Sequence, residues 1–181
     1  MSLKNDRDTY RVTKLPTTIL SGDDIMKISE FQALLKPMTD FISGMAIDSK
    51  LAEELNRRFP PEGETFDMIE KACHEAISDG WMCANGDVGR RWGRVIEPCE
   101  ETGGLSVDVV DLTDLVGSQH RHPGGEVCLV MPFTPEAQFD GTSRGWCVFE
   151  PGSAHYPTVT NGEALILYML PDGKIDYADT R

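Results

Sequence analysis

The sequence has no apolar run approaching the roughly 20 residues that cross a bilayer. Residues 1–20 are polar and charged and lack the apolar middle of a secretory signal. A water-soluble, cytoplasmic protein is therefore expected. A basic tail is also missing: 17 Lys and Arg stand against 30 Asp and Glu, a formal charge of -13. That argues against a nucleic-acid partner, because phosphate backbones are held by grouped cations. No C-x-x-C pair occurs. The five cysteines, Cys73, Cys83, Cys99, Cys128 and Cys147, are odd in number and widely spaced, which suggests neither a disulfide framework nor a thiolate zinc site and fits a reducing compartment. Internal repeats and low-complexity segments are lacking too.

What remains is a chain of 181 residues, 40% hydrophobic, enough for one well-buried core with an extension. Residues 1–80 are expected to form an arm (1–20) and a helical extension, and 81–181 a β-rich unit, together one structural domain. Ile25, Ile28, Phe31 and Leu35 recur at helical spacing after a cap at Ser21 or Asp23, with Pro37 as the stop. Leu51, Leu55 and Phe59 make a second stripe behind Asp48-Ser49, ended by Pro60-Pro61. A third places Phe66, Ile69, Cys73, Ala76 and Ile77 on one face, with Thr65 as cap and Gly80 as terminator. Beyond Gly80, short apolar runs separated by turn residues read as strands at 94–96, 105–112, 127–131, 146–149 and 164–170. A turn at Pro171-Asp172-Gly173 leads to a last strand at 174–177. The fold class is mainly β: a small barrel with helices packed outside.

Only four histidines occur, and three lie in the β half beside turn residues. His120 and His122 point to one face if their stretch is extended. Pro123-Gly124-Gly125 then turns the chain and brings Glu126 toward both rings. Two neutral nitrogens and a carboxylate suit one divalent ion, zinc, iron, nickel or manganese, with positions left for water or substrate. His155, just after the Pro151-Gly152 reversal, is the fourth expected ligand. His74, on the third helix, is expected to be a surface residue without a role. Cys128, two residues beyond Glu126, should share the lumen face.

Gln119-His120-Arg121-His122-Pro-Gly-Gly-Glu126 resembles the first cupin motif. Gly145 through Pro151-Gly152 to His155, followed by Gly162-Glu163-Ala164-Leu165-Ile166-Leu167-Tyr168, resembles the second. The sequence departs from the pattern at Asp114 and Phe133, where the first motif has glycines. The second motif is one residue short before His155 and has Val159 in place of an asparagine, with Asn161 nearby. The resemblance covers the C-terminal half and implies a single jelly-roll barrel. At a finer level the whole chain resembles the small bacterial 4-hydroxylaminobenzoate lyases, in size, in a helical portion ahead of one barrel, and in the H-x-H-P-G-G-E segment running into Met131-Pro132. That implies conversion of 4-hydroxylaminobenzoate to 3,4-dihydroxybenzoate with ammonia release, and metal-assisted chemistry. Dimerisation is the assembly expected of such barrels.

A flat benzoate anion needs local positive charge and apolar walls. Arg90, Arg91 and Arg94, grouped around Trp92, are the expected carboxylate anchors, ahead of Arg121 and Arg144. Arg121 should point away from the lumen by alternation. Trp92, Trp146 and Tyr168 are candidate aromatic walls. The same motifs also fit a dioxygenase or isomerase acting on another small organic acid, a barrel that binds a ligand without turnover, or a buried metal-free cluster.

Overall fold

The computed structural model of the chain describes residues 22–177; the arm expected over 1–20 lies outside the described residues. Three helices come first: α1 (Gly22–Ser43), α2 (Ser49–Arg58) and α3 (Glu64–Ser78). Eleven strands follow: β1 (Asn85–Asp87), β2 (Arg90–Ile96), β3 (Leu105–Thr113), β4 (His120–Arg121), β5 (Glu126–Pro132), β6 (Gln138–Phe139), β7 (Gly145–Phe149), β8 (Ala154–His155), β9 (Val159–Thr160), β10 (Glu163–Pro171) and β11 (Asp176–Tyr177).

The first helix outruns its expected stop. Pro37 lies inside α1, where an interior proline costs about 3 kcal/mol. The helix continues because the next turn is needed in the core. Met38 and Ile42 are 0% and 2% exposed, and burying each contributes about 1.5–3 kcal/mol. Asp23, one of the two expected caps, is already within the helix, and Ser21 lies outside the described residues. In α2 the Asp48 carboxylate accepts from the amides of Lys50 and Leu51, the capping that Asp48-Ser49 suggests. For α3 the cap is Gly63, not Thr65, and it provides no side-chain bond. Glu64 and Asp67 sit in the first turn instead, where their charge complements the exposed amides.

All pairing is antiparallel. A six-stranded sheet in the order β1-β2-β3-β10-β5-β7 forms one wall, and the small sheets β11-β4-β8 and β6-β9 stand apart from it. Alternation assigns the faces of the large sheet. Val107, Val109, Val127, Leu129, Leu165, Leu167 and Met169 pack with the helices, while Leu112, Cys128, Val130, Ala164, Ile166, Tyr168 and Leu170 share an inner cluster with Phe139 and Val159 of the β6-β9 pair. Both faces are covered, which is why these strands read as unbroken apolar runs. The expected β-rich barrel with helices outside is the architecture found.

The helices are fastened at β7. Asn56 exchanges hydrogen bonds with the backbone of Trp146. Arg144 reaches the Pro61 carbonyl, Glu70 and Asp67. Trp146 thus faces the helices, its indole donating to the Phe59 carbonyl at 2.9 Å; it walls no part of the inner cluster.

Two departures from the cupin pattern have local explanations. Asp114 takes φ +42°, doing what a glycine would otherwise do, and is held by bonds from its amide to the Gly162 carbonyl and from the Gly162 amide to its carboxylate. Asn161 also adopts positive φ, +64°. Gly125, immediately before Glu126, has no such latitude. Its φ is +85°, and a Cβ there would meet Ile47 Cγ2 at 2.8 Å and the Phe149 carbonyl oxygen at 2.9 Å. Gly125→Ala is expected to lower stability by about 2–4 kcal/mol, read from urea midpoints.

Candidate metal centre

The histidines converge because two turns bring short strands together. β4 pairs with β8 in a register that sets His120 opposite His155. His122 follows β4, its amide bonded to the Ser153 carbonyl and its own carbonyl accepting from Gly152 and Gly125. The Pro-Gly reversal before His155 and the Gly-Gly turn before Glu126 are therefore both tied to one residue of the H-x-H segment. His122 is fully buried and His120 is 8% exposed.

His155 is the node. Its Nε2 lies 3.0 Å from His122 Nε2 and 3.1 Å from His120 Nε2. Its Nδ1 stands 2.5 Å from Asp140 Oδ2, so the ring proton belongs on Nδ1 and Nε2 presents a lone pair. His120 donates to the backbone of Ser118, and with its Nε2 turned to His155 the donor is Nδ1. Two lone pairs then face each other at 3.1 Å, which is repulsive unless a cation lies between them. Nitrogens each about 2.1 Å from one ion and at right angles around it stand about 3.0 Å apart. The three imidazoles form one group of potential ligand atoms, all within 4.8 Å of each other. The donor set fits a divalent ion.

Burial pushes His120 down to about 4 and His122 to about 3, helped by the neighbouring imidazoles. Both are neutral near neutrality, as ligands must be. In the metal-free protein their folded values lie below the ordinary 6.5. The unfolded chain therefore takes up protons first, and their contribution to stability, complete above 6.5, is lost as pH falls toward 4. Urea midpoints of metal-free protein at about pH 7 and about pH 5 are expected to differ less in His120→Asn than in the wild type.

Glu126, expected as a ligand, lies 1% exposed on the lumen face. Its Oε2 is 3.3 Å from His122 Nδ1, on the side of the ring away from the three Nε2 atoms, and its Oε1 accepts from Cys128 Sγ at 3.0 Å. The pair across that ring is poorly aligned, leaving His122 Nδ1 without a hydrogen bond. Burial raises the Glu126 carboxyl well above the usual range, against the thiol bond that lowers it. Cys128 does share the lumen face with Glu126, as alternation indicates.

The expected carboxylate anchors are engaged elsewhere. Arg91 pairs with buried Asp111. Arg94 bonds Asp108 at 2.9 Å, Glu97 at 3.2 Å and the Gly173 carbonyl at 3.0 Å, and Arg90 lies over the Trp92 ring. Arg121, on the outer face as alternation requires, pairs with Asp176 at 2.9 Å. It borders a recess of about 300 Å³ lined also by Gln119, His120, Ala154, Asp176 and Tyr177. His74 is half-buried against Phe133, away from the cluster.

Sequence reasoning missed three residues at the centre. Asp140 fixes His155, and its other oxygen accepts from the Thr158 amide at 2.8 Å. Phe149 lies 4.2 Å from the His155 ring and stacks on His122, and Phe139 packs against Phe149, His155 and Tyr168. A signal for Asp140 was available: Asp140-Gly141, both at positive φ between the mutually bonded Phe139 and Thr142, is the Asp-Gly dipeptide of a two-residue hairpin.

The family described as "PnbB: 4-hydroxylaminobenzoate lyase" matches residues 33–177. That span contains the second half of α1, all of α2 and α3, all three imidazoles, Glu126 and Asp140. The chain belongs to the 4-hydroxylaminobenzoate lyase family. Two relatives bear the same name. One, from Nocardioides sp. (strain LMS-CY), is 32% identical over 152 residues, covering 78% of this chain and 89% of its own length. The other, from Pseudomonas putida, is 32% identical over 141 residues, covering 68% and 80%. Among solved structures, this member of the lyase family is similar to an RmlC-like cupin protein from Ralstonia eutropha, with TM-score 0.41, 11% identity and 54% and 64% of the two chains covered. It is also similar to the DMSP lyase DddQ from Ruegeria pomeroyi, with TM-score 0.38, 16% identity and 89% and 94% covered. No helix among the described residues is long and apolar enough to cross a membrane.

Proposed function

We propose that the protein converts 4-hydroxylaminobenzoate to 3,4-dihydroxybenzoate and ammonia, using one divalent ion held by His120, His122 and His155. The observation that carries this reading is the convergence of three imidazole nitrogens in a chain of a family named for that substrate. Bound there, zinc, iron, nickel or manganese would supply Lewis acidity toward the hydroxylamine.

The net change consumes one water, breaks the N–O bond, the C–N bond and one ring C–H bond, and forms two C–O bonds, the released protons leaving on ammonia. Glu126, whose carboxyl burial pushes well above the usual range, meets His122 from the Nδ1 side with Cys128 bonded to its Oε1, and so orients that ring. We assign it this role in place of the ligand role expected from the motif. Asp140 holds the His155 ring in one orientation through Nδ1. The benzoate ring fits the recess beside His120 and Tyr177, and its carboxylate exchanges with Asp176 on Arg121. That ion pair is 58% and 51% exposed, so separating it costs no more than about 1 kcal/mol.

Incubation of metal-loaded protein with 4-hydroxylaminobenzoate is expected to release ammonia and a catechol in equal amounts without oxygen uptake. Oxygen consumption in step with product would place the chemistry among dioxygenases. Undiminished turnover after exhaustive chelation would remove the ion from the reaction.

A further inference from the structure

One pair of nucleophilic side chains has no part in the reaction above. Cys128 and Cys147 face each other directly across the antiparallel pair β5 and β7. Cys128 belongs to the inner cluster and Cys147 packs against it. Facing residues in such a ladder have Cα atoms about 4.5 or about 5.5 Å apart, and either spacing lies within the roughly 4.4–6.8 Å that disulfides span. Cys147 lies on the edge strand of the sheet and is half-buried, while Cys128 is fully buried. The pair thus has one sulfur that a small oxidant can reach and one positioned to resolve it. Cys73 and Cys83 are the internal contrast, since both are buried and Cys83 is bonded to the Val109 carbonyl.

We propose that Cys128 and Cys147 are a redox-sensitive pair, closed to a disulfide by a hydroperoxide, that controls Glu126. The Cys147 sulfur attacks the peroxide oxygen, the O–O bond breaks, and a sulfenic acid and one water or alcohol result. The Cys128 sulfur then attacks Cys147, the S–S bond forms, and the sulfenic oxygen leaves as water with the Cys128 proton. Two thiols are oxidised by two electrons and one peroxide is reduced. Closure removes the S–H that bonds Glu126 Oε1, so the carboxyl loses its only side-chain donor among the described hydrogen bonds. The thiol chemistry is independent of the proposed reaction, whereas its effect on turnover rests on that reading.

Hydrogen peroxide treatment of the metal-loaded protein, followed by alkylation and peptide mapping, is expected to show the loss of two of the five thiols and a peptide joining Cys128 to Cys147. Dithiothreitol should restore both. Cys147→Ser is expected to form no such link, to match the wild type in untreated activity, and to resist peroxide at least tenfold better. Five intact thiols, a Cys73–Cys83 link, or Cys147 oxidised alone would overturn the pairing. Formation of the link with Cys147→Ser inactivated as fast as the wild type would overturn the control of Glu126. If the reduced protein fails to turn over 4-hydroxylaminobenzoate but forms the link, the thiol pair stands and the proposed reaction falls.

Discussion

His155→Ala is expected to purify without a tightly bound divalent ion and to lose lyase turnover by at least about 100-fold. His155 is the position to test because its Nε2 contacts both other imidazoles, so its removal leaves His120 and His122 without the atom that joins them. The fold should survive. The His155 side chain is 13% exposed and lies on a two-residue strand, away from the helix-packed core. Circular dichroism and the urea midpoint should therefore stay near those of the wild type while elemental analysis shows the ion gone. Full metal content in a folded His155→Ala protein would show that the three-nitrogen group is not the binding site.

The second large effect is expected at Asp140. Asp140→Asn is nearly isosteric and tolerates the φ of +45° at this position, since asparagine is among the few residues that enter the left-handed region readily. Its side-chain oxygen can still accept from the Thr158 amide. What disappears is the negative charge beside His155 Nδ1. Carboxylates in this position orient the ring and raise its basicity, and their loss typically weakens metal affinity about 10–100-fold. Competition with a chelator measures this directly. Asp140→Ala should show the same loss together with lower stability, because alanine abandons the Thr158 bond and is strained at positive φ. Unchanged affinity in Asp140→Asn would mean that Nδ1 needs no anion.

The differences between expectation and structure share one cause, which is that packing partners are non-local. Pro37 is a stop signal by local rules, yet the burial of Met38 and Ile42 carries the helix past it. Arg91 and Arg94 look available for a substrate in sequence. In the fold, Asp111 and Asp108 of the neighbouring strand sit opposite them and take their charge. Trp146 reads as a lumen aromatic, but its place in the alternation of β7 turns it toward the helices, and Phe149, in the other phase, reaches the imidazoles. The short strands β4, β6, β8 and β9 carry too few residues for any periodicity to show.

The sequence by itself determined the helical front and β-rich back, the long strands as apolar runs, and His120, His122 and His155 as a group worth joining. Each of these rests on spacing within one segment or on a conjunction of turn residues and side chains. Only the tertiary structure decided that His155 stands opposite His120, that Glu126 meets His122 from the Nδ1 side, that Asp140 completes the centre, and that Arg121 borders a recess with His120. Strand register and ring orientation are set by how turns close and how cores fill, and neither is encoded in the local periodicity of any one stretch of chain.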